Sequence, residues 1–184
     1  MSGIIGVSPD MRSGVIGAFP AGMVIQVVSF LTNLRGNFTA DKNDVSSSPA
    51  IAKAITPKAS GSSFYIKIRW LGECTAFESV HAHLHRDGSR VNATNDQALT
   101  PDHDFMLGQP FQAWNGGSDF DSTHDVMNFS TLDETGSTAG TATTFELKFS
   151  SNNTAGRSIY TNRCAGNVDY SSGNSEIIIK EIAG

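Results

Sequence analysis

Three histidines, His81, His83 and His85, stand at every second position of one short run. In a strand that spacing puts all three imidazoles on one face and Val80, Ala82 and Leu84 on the other. Beside the threefold axis of a trimer, one ring from each chain would supply the nitrogen donors that a borderline transition metal takes. The plainer reading, preferred here, buries the aliphatic face and leaves the imidazoles as a solvent or sheet-packing face with no metal. Asp119-Phe120-Asp121-Ser122-Thr123-His124-Asp125, after Gly116-Gly117, spaces oxygen ligands in the manner of a calcium loop. The glycine and closing bidentate Glu of the EF-hand pattern are missing, so it reads as a solvated acidic loop. Asp102-His103-Asp104 sets a base between two acids. No G-x-S-x-G elbow or second cluster accompanies it, and the chain is expected not to be an enzyme and to use no cofactor.

Aromatic residues suggest a different chemistry. Phe105, Phe111, Trp114 and Phe120 fall in one irregular stretch, with Gln112, Asn115 and Asp119 beside the indole. An exposed ring among neutral polar groups suits a sugar, whose apolar face stacks while its hydroxyls are hydrogen-bonded. The alternative is that these rings plug an open end of the fold or fill a subunit interface.

The elements that must position these residues are strands. Only 17% of the 184 residues are charged, against a typical quarter or so, and Ser, Thr, Asn and Gly make up the difference. A net charge of −5 without a Lys/Arg cluster argues against nucleic acid as a partner. The longest apolar stretch, residues 23–31, is broken by Gln26 and Ser29 and is too short to span a bilayer, so no membrane is expected. The opening residues lack a basic region followed by a continuous apolar run, and the chain is expected to remain in the cytoplasm where it is made. Cys74 and Cys164, ninety positions apart, read as small core hydrophobes in a reducing compartment.

Period-two or β-branched runs predict strands over residues 23–31, 50–56, 64–71, 80–85, 126–131, 143–149, 157–164 and 175–182. In the third, Phe64, Ile66, Ile68 and Trp70 face inward. Arg35-Gly36-Asn37 and Ser46-Ser47-Ser48-Pro49 read as polar loops, and Asp87-Gly88 as a hairpin turn. Residues 92–125 form an irregular insertion, and no sustained helical period occurs. About eight strands with long connections predict an all-β fold, an antiparallel, jelly-roll-like sandwich over residues 21–184.

Residues 1–20 are of another kind. Ser2-Gly3-Ile4-Ile5-Gly6 returns as Ser13-Gly14-Val15-Ile16-Gly17, each copy followed by a proline. So little apolar surface between glycines cannot bury itself. The segment reads as an extended docking arm that adds a strand to a partner, with Ile4, Ile5, Gly6, Val15, Ile16 and Gly17 at the contact. A tail folded back on its own domain is the alternative.

Four blocks carry a resemblance: Pro20-Ala21-Gly22-Met23-Val24-Ile25-Gln26-Val27-Val28, Ile55-Thr56-Pro57-Lys58-Ala59-Ser60-Gly61-Ser62-Ser63-Phe64-Tyr65-Ile66, Leu84-His85-Arg86-Asp87-Gly88, and residues 177–184. In order and spacing they resemble small virion and tail-fibre-type structural proteins of marine tailed bacteriophages, of the cyanophage and pelagiphage kind. The resemblance covers residues 20–184 in outline, most thinly over residues 92–125, and the glycine-rich opening is also similar to the start of such proteins. It implies a non-catalytic β-sandwich on the virion, assembled in the host cytoplasm, a homotrimer in contact with other virion proteins. A tail-fibre or short appendage role is expected, with head decoration or binding of a host-surface glycan through Trp114 as alternatives. The family's pattern does not require the three histidines.

Overall fold

The computed structural model describes residues 19–40, 46–74, 80–91, 125–151, 157–165 and 172–184. The described residues form ten strands: β1 (Val24–Thr32), β2 (Gly36–Ala40), β3 (Ser46–Ile55), β4 (Ser63–Cys74), β5 (Val80–Arg86), β6 (Ser89–Arg90), β7 (Asp125–Asp133), β8 (Thr143–Ser151), β9 (Arg157–Thr161) and β10 (Ser175–Ile182). Among the described residues there is no helix, and so none long and apolar enough to cross a membrane.

The pairing follows one rule. β5 pairs with β6, β4 with β7, β3 with β8, β2 with β9 and β1 with β10, all antiparallel. The chain is one long hairpin whose tip is Asp87-Gly88, where both residues have positive φ, 49° and 85°, as a tight two-residue hairpin turn demands. Further ladders of β4 with β10, β4 with β9 and β5 with β8 roll that hairpin into two sheets. One sheet runs β1-β10-β4-β9-β2, with β7 also on β4, and the other runs β3-β8-β5-β6. Rolling a long hairpin in this way gives the jelly roll, so the expected class and topology are both observed.

Period-two sequence becomes a two-sided sheet because successive side chains leave opposite faces. In β4, Phe64, Ile66, Ile68 and Trp70 are fully buried, as expected. They meet Phe145, Leu147 and Phe149 of β8 and Ile177 and Ile179 of β10. Trp70 lies 5.2 Å from Phe149 between ring centroids, and Phe64 lies 5.3 Å from Phe145 in an edge-to-face contact. Each large side chain removed from water contributes about 1.5–3 kcal/mol, so this layer holds the sheets together. Cys164 is fully buried, as a small hydrophobe would be.

Two sequence readings are corrected. Gly36 opens β2 and does not belong to a loop, because residues 36–40 pair in register with β9. Ser46 to Pro49 are the start of β3, where the ladder to β8 shifts register between Ser47 and Ala52. A bulge absorbs extra residues without ending a strand, which is how a proline and three serines are accommodated.

Candidate interaction surface

The arm residues Ile4, Ile5, Gly6, Val15, Ile16 and Gly17, and the sugar-binding candidates Trp114, Gln112, Asn115 and Asp119, lie outside the described residues. So do Asp102-His103-Asp104 and most of the acidic run, residues 119–124. The three histidines are described, and of the solvent face and the packed face it is the packed one that is observed.

His81, His83 and His85 share one face of β5, as their spacing requires, while Val80, Ala82 and Leu84 enter the core. The histidine face is not a solvent face. The three residues are only 2%, 1% and 8% exposed. His83 Nε2 and Ser150 Oγ are 2.7 Å apart, and His85 Nδ1 donates to the Gly88 carbonyl at 3.0 Å. Among the described residues no three His, Cys, Asp or Glu side chains gather as a metal site. His83 thereby joins β5 to β8, and His85 joins it to the hairpin turn.

The other buried polar groups are also structural. Glu181 is fully buried, and its carboxylate accepts hydrogen bonds from Lys58 N at 2.8 Å, Ala59 N at 3.0 Å and Ser62 Oγ at 2.8 Å. It pins the turn between β3 and β4 to the end of β10. Arg86, one residue before the hairpin tip, donates to Asp133 at 2.9 Å and to the Gly136 carbonyl at 2.7 Å, with its guanidinium 5.3 Å from the Phe64 centroid. Asp87 accepts from Thr144 N at 2.7 Å and from Thr143 Oγ1. Partial burial opposes its ionisation, but these bonds and the Arg86 charge outweigh burial and hold its pKa below the ordinary carboxylate value. Asn162 sits in the left-handed region with φ 58° and donates from Nδ2 to the carbonyls of Thr32 and Leu34, at 3.1 and 2.9 Å. Each of these groups satisfies partners within its own fold, as buried polar atoms must.

Among the described residues, Asn33, Arg35, Ser172, Gly173 and Asn174 line an open cleft of about 230 Å³. These five residues include no carboxylate, histidine or cysteine that could activate the Ser172 hydroxyl. More distinctive is the outer face of the larger sheet. Its middle is charged, with Lys67, Arg69, Glu176 and Lys180 on β4 and β10, the Lys180 ammonium lying 5.7 Å from the Tyr65 centroid. Its most exposed apolar residues lie at the two margins, Val27 and Leu31 on β1 and Val126 and Leu132 on β7.

β1 is the margin that stands out. Among the described residues it pairs only with β10, so its other edge presents backbone N–H and C=O groups outward. Met23, Val24, Val27, Phe30, Leu31 and Leu34 are all more than a third exposed, with Val27 at 56% and Leu31 at 60%. No residue from Val24 to Thr32 is charged and none is proline. By sequence alone this segment reads as an ordinary strand. The signal that could have marked it as an edge is its place as the outermost rung of a rolled hairpin.

No protein-family model matches the chain, and no curated protein matches it. Solved structures similar in fold include one described as that of the infectious bursal disease virus Gx strain, at 12% identity and a TM-score of 0.35, covering 98% of this chain and 41% of that one. The Gt strain structure is similar at 14% identity and a TM-score of 0.35, covering 98% and 42%. A structure of T=1 particles derived from infectious bursal virus is similar at 12% identity and the same TM-score, covering 98% and 40%. The chain therefore spans about two fifths of the length of these chains.

Proposed function

We propose that this chain is a non-catalytic structural protein of a virus particle, a jelly-roll unit that works by being packed against neighbouring proteins. The observation that carries the reading is the margin of the larger sheet. β1 leaves a backbone edge and two half-exposed apolar side chains, Val27 and Leu31, with none of the charge or proline that keeps an edge monomeric. A surface of that kind is made to be covered. The resemblance of four sequence blocks to tailed-phage virion proteins supplies the setting, and within it a tail-fibre or short appendage role is favoured over head decoration.

The arm of residues 1–20 would fasten the unit to another virion protein by strand addition, with Ile4, Ile5, Val15 and Ile16 as apolar anchors. Deleting residues 2–19 is expected to abolish incorporation into purified particles, read by immunoblot, while the domain keeps its native circular dichroism. Particles that carry the shortened chain at the normal level would overturn the docking role.

A further inference from the structure

The margins of the two sheets are not treated alike. β2 has five residues and β6 two, and β3 carries Pro49, Lys53 and a register shift, whereas β7, like β1, has neither charge nor proline between its terminal aspartates, and Asp133 is buried against Arg86. Short length, charge, proline and bulges are the devices that blunt an edge against pairing with another chain. β1 has one of them, a register shift between Val24 and Gln26. Beyond that shift, Gln26 to Thr32 is a regular seven-residue ladder on β10, and among the described residues no strand pairs with its outer edge. The middle of this stretch is Ser29.

We propose that this edge is a self-association site: two copies of the chain pair their β1 strands antiparallel about a twofold axis at Ser29, joining their larger sheets into one continuous sheet. A twofold interface matches a surface with itself, so the test of a register is what each side chain meets. With Ser29 opposite Ser29, Val27 meets Leu31 twice on the outer face, and Val28 meets Phe30 twice on the inner face. Val27, Leu31 and Phe30, at 56%, 60% and 38% exposure, are thereby covered by one another. Directly opposed apolar side chains are the unit of stabilisation between strands.

The charges agree with the same register. On the outer face Val27 lies beside Lys180 of β10, and Leu31 lies beside Glu176. Pairing Val27 with Leu31 therefore puts Lys180 of one copy and Glu176 of the other at the two ends of each joined row. Moving the axis to Val27 would set Lys180 against Lys180 in one row, and moving it to Leu31 would set Glu176 against Glu176. Shifting it to Val28 or Phe30 leaves Val27 or Leu31 facing Ser29. Only the register at Ser29 pairs apolar with apolar and opposite charge with opposite charge.

The inference goes beyond the particle reading and is measured on the purified full chain, so either can fail without the other. Sedimentation equilibrium across a concentration series is expected to show twice the chain mass. Val27→Lys and Leu31→Lys, each at an exposed position, are expected to lose the dimer while keeping the native near-ultraviolet circular dichroism. Opposed residues of an antiparallel pair have Cα atoms about 4.5–5.5 Å apart, within the roughly 4.4–6.8 Å span of a disulfide. Under mild oxidation Ser29→Cys should therefore form a covalent dimer, whereas the native chain and Ser130→Cys, exposed on β7, should not. A monomer or a trimer at all concentrations overturns the proposal, as does a dimer that survives both lysine variants, or a Ser29→Cys chain that cross-links no more than the native one. A monomer that dimerises only when residues 2–19 are removed assigns the edge to the chain's own arm and overturns it too.

Discussion

His85 shows how a position along a strand becomes a pH dependence. The Gly88 carbonyl can only accept, so the neutral ring carries its proton on Nδ1. Nε2 is buried without a hydrogen-bond partner. Burial lowers the pKa below the ordinary value of 6.5; the Gly88 carbonyl opposes this, Lys148 and Arg90 reinforce it, and Glu146 opposes it weakly. A folded value below the unfolded one means that the unfolded chain takes up the proton first. The contribution of His85 to stability is thus complete above pH 6.5 and is lost as the pH falls through the lowered folded value. The melting temperature should drop as the pH falls below about 6.5, and His85→Gln should make that drop smaller. Parallel curves for the two proteins would rule the histidine out as its source. Spacing showed that His81, His83 and His85 share a side of β5, but alternation does not say what is packed on that side, and its burial was not legible.

At the scale of elements, β4 is the strand on which the larger sheet depends. It keeps β10 on one edge from Ser63 to Arg69 and changes partner on the other, from β7 to β9, at Gly72, which is in register with both Asp125 and Thr161. The glycine is needed for space. A Cβ there would stand 2.0 Å from the Tyr160 carbonyl oxygen and 2.2 Å from the Trp70 ring, and a ladder carbonyl cannot step aside as a side-chain tip can. Gly72→Ala is expected to cost about 3 kcal/mol, near the upper end for overpacking, which lowers the melting temperature by roughly 10 °C in a domain of this size. A shift of a degree or two would show that β9 can slide away from β4 at no cost. Strands such as β4 and β10 were legible because their own alternation is strong. β2 was not, since Phe38 and Ala40 are the only apolar residues among its five and its pairing depends on β9, more than a hundred residues away.

The whole molecule gains its order from the rolled hairpin, which makes the two ends of the sandwich unequal. The rungs nearest the tip are contiguous in sequence, and Asp87-Gly88 marked that turn plainly. The outer rungs join residues about 150 positions apart, and no local pattern announces them. β10 closes the chain yet lies inside the larger sheet, between β1 and β4. Ile177 and Ile179 fill the core, and Glu181 holds the turn at Lys58, Ala59 and Ser62. Removing residues 175–184 would expose both isoleucines' partners, strip two ladders and leave β1 with no strand to pair with among the described residues. Burial of one large aliphatic side chain contributes about 1.5–3 kcal/mol, and a whole domain is stable by only about 5–15 kcal/mol, so the shortened chain should not fold. Removing residues 2–19 touches none of these contacts and should leave the melting temperature within a few degrees of the native value. Circular dichroism melts of the two truncated chains distinguish a central closing strand from a peripheral one: cooperative unfolding of the chain that lacks β10 would mean that β1 can dock directly on β4, and the nested order of rungs would not be what holds the sandwich closed.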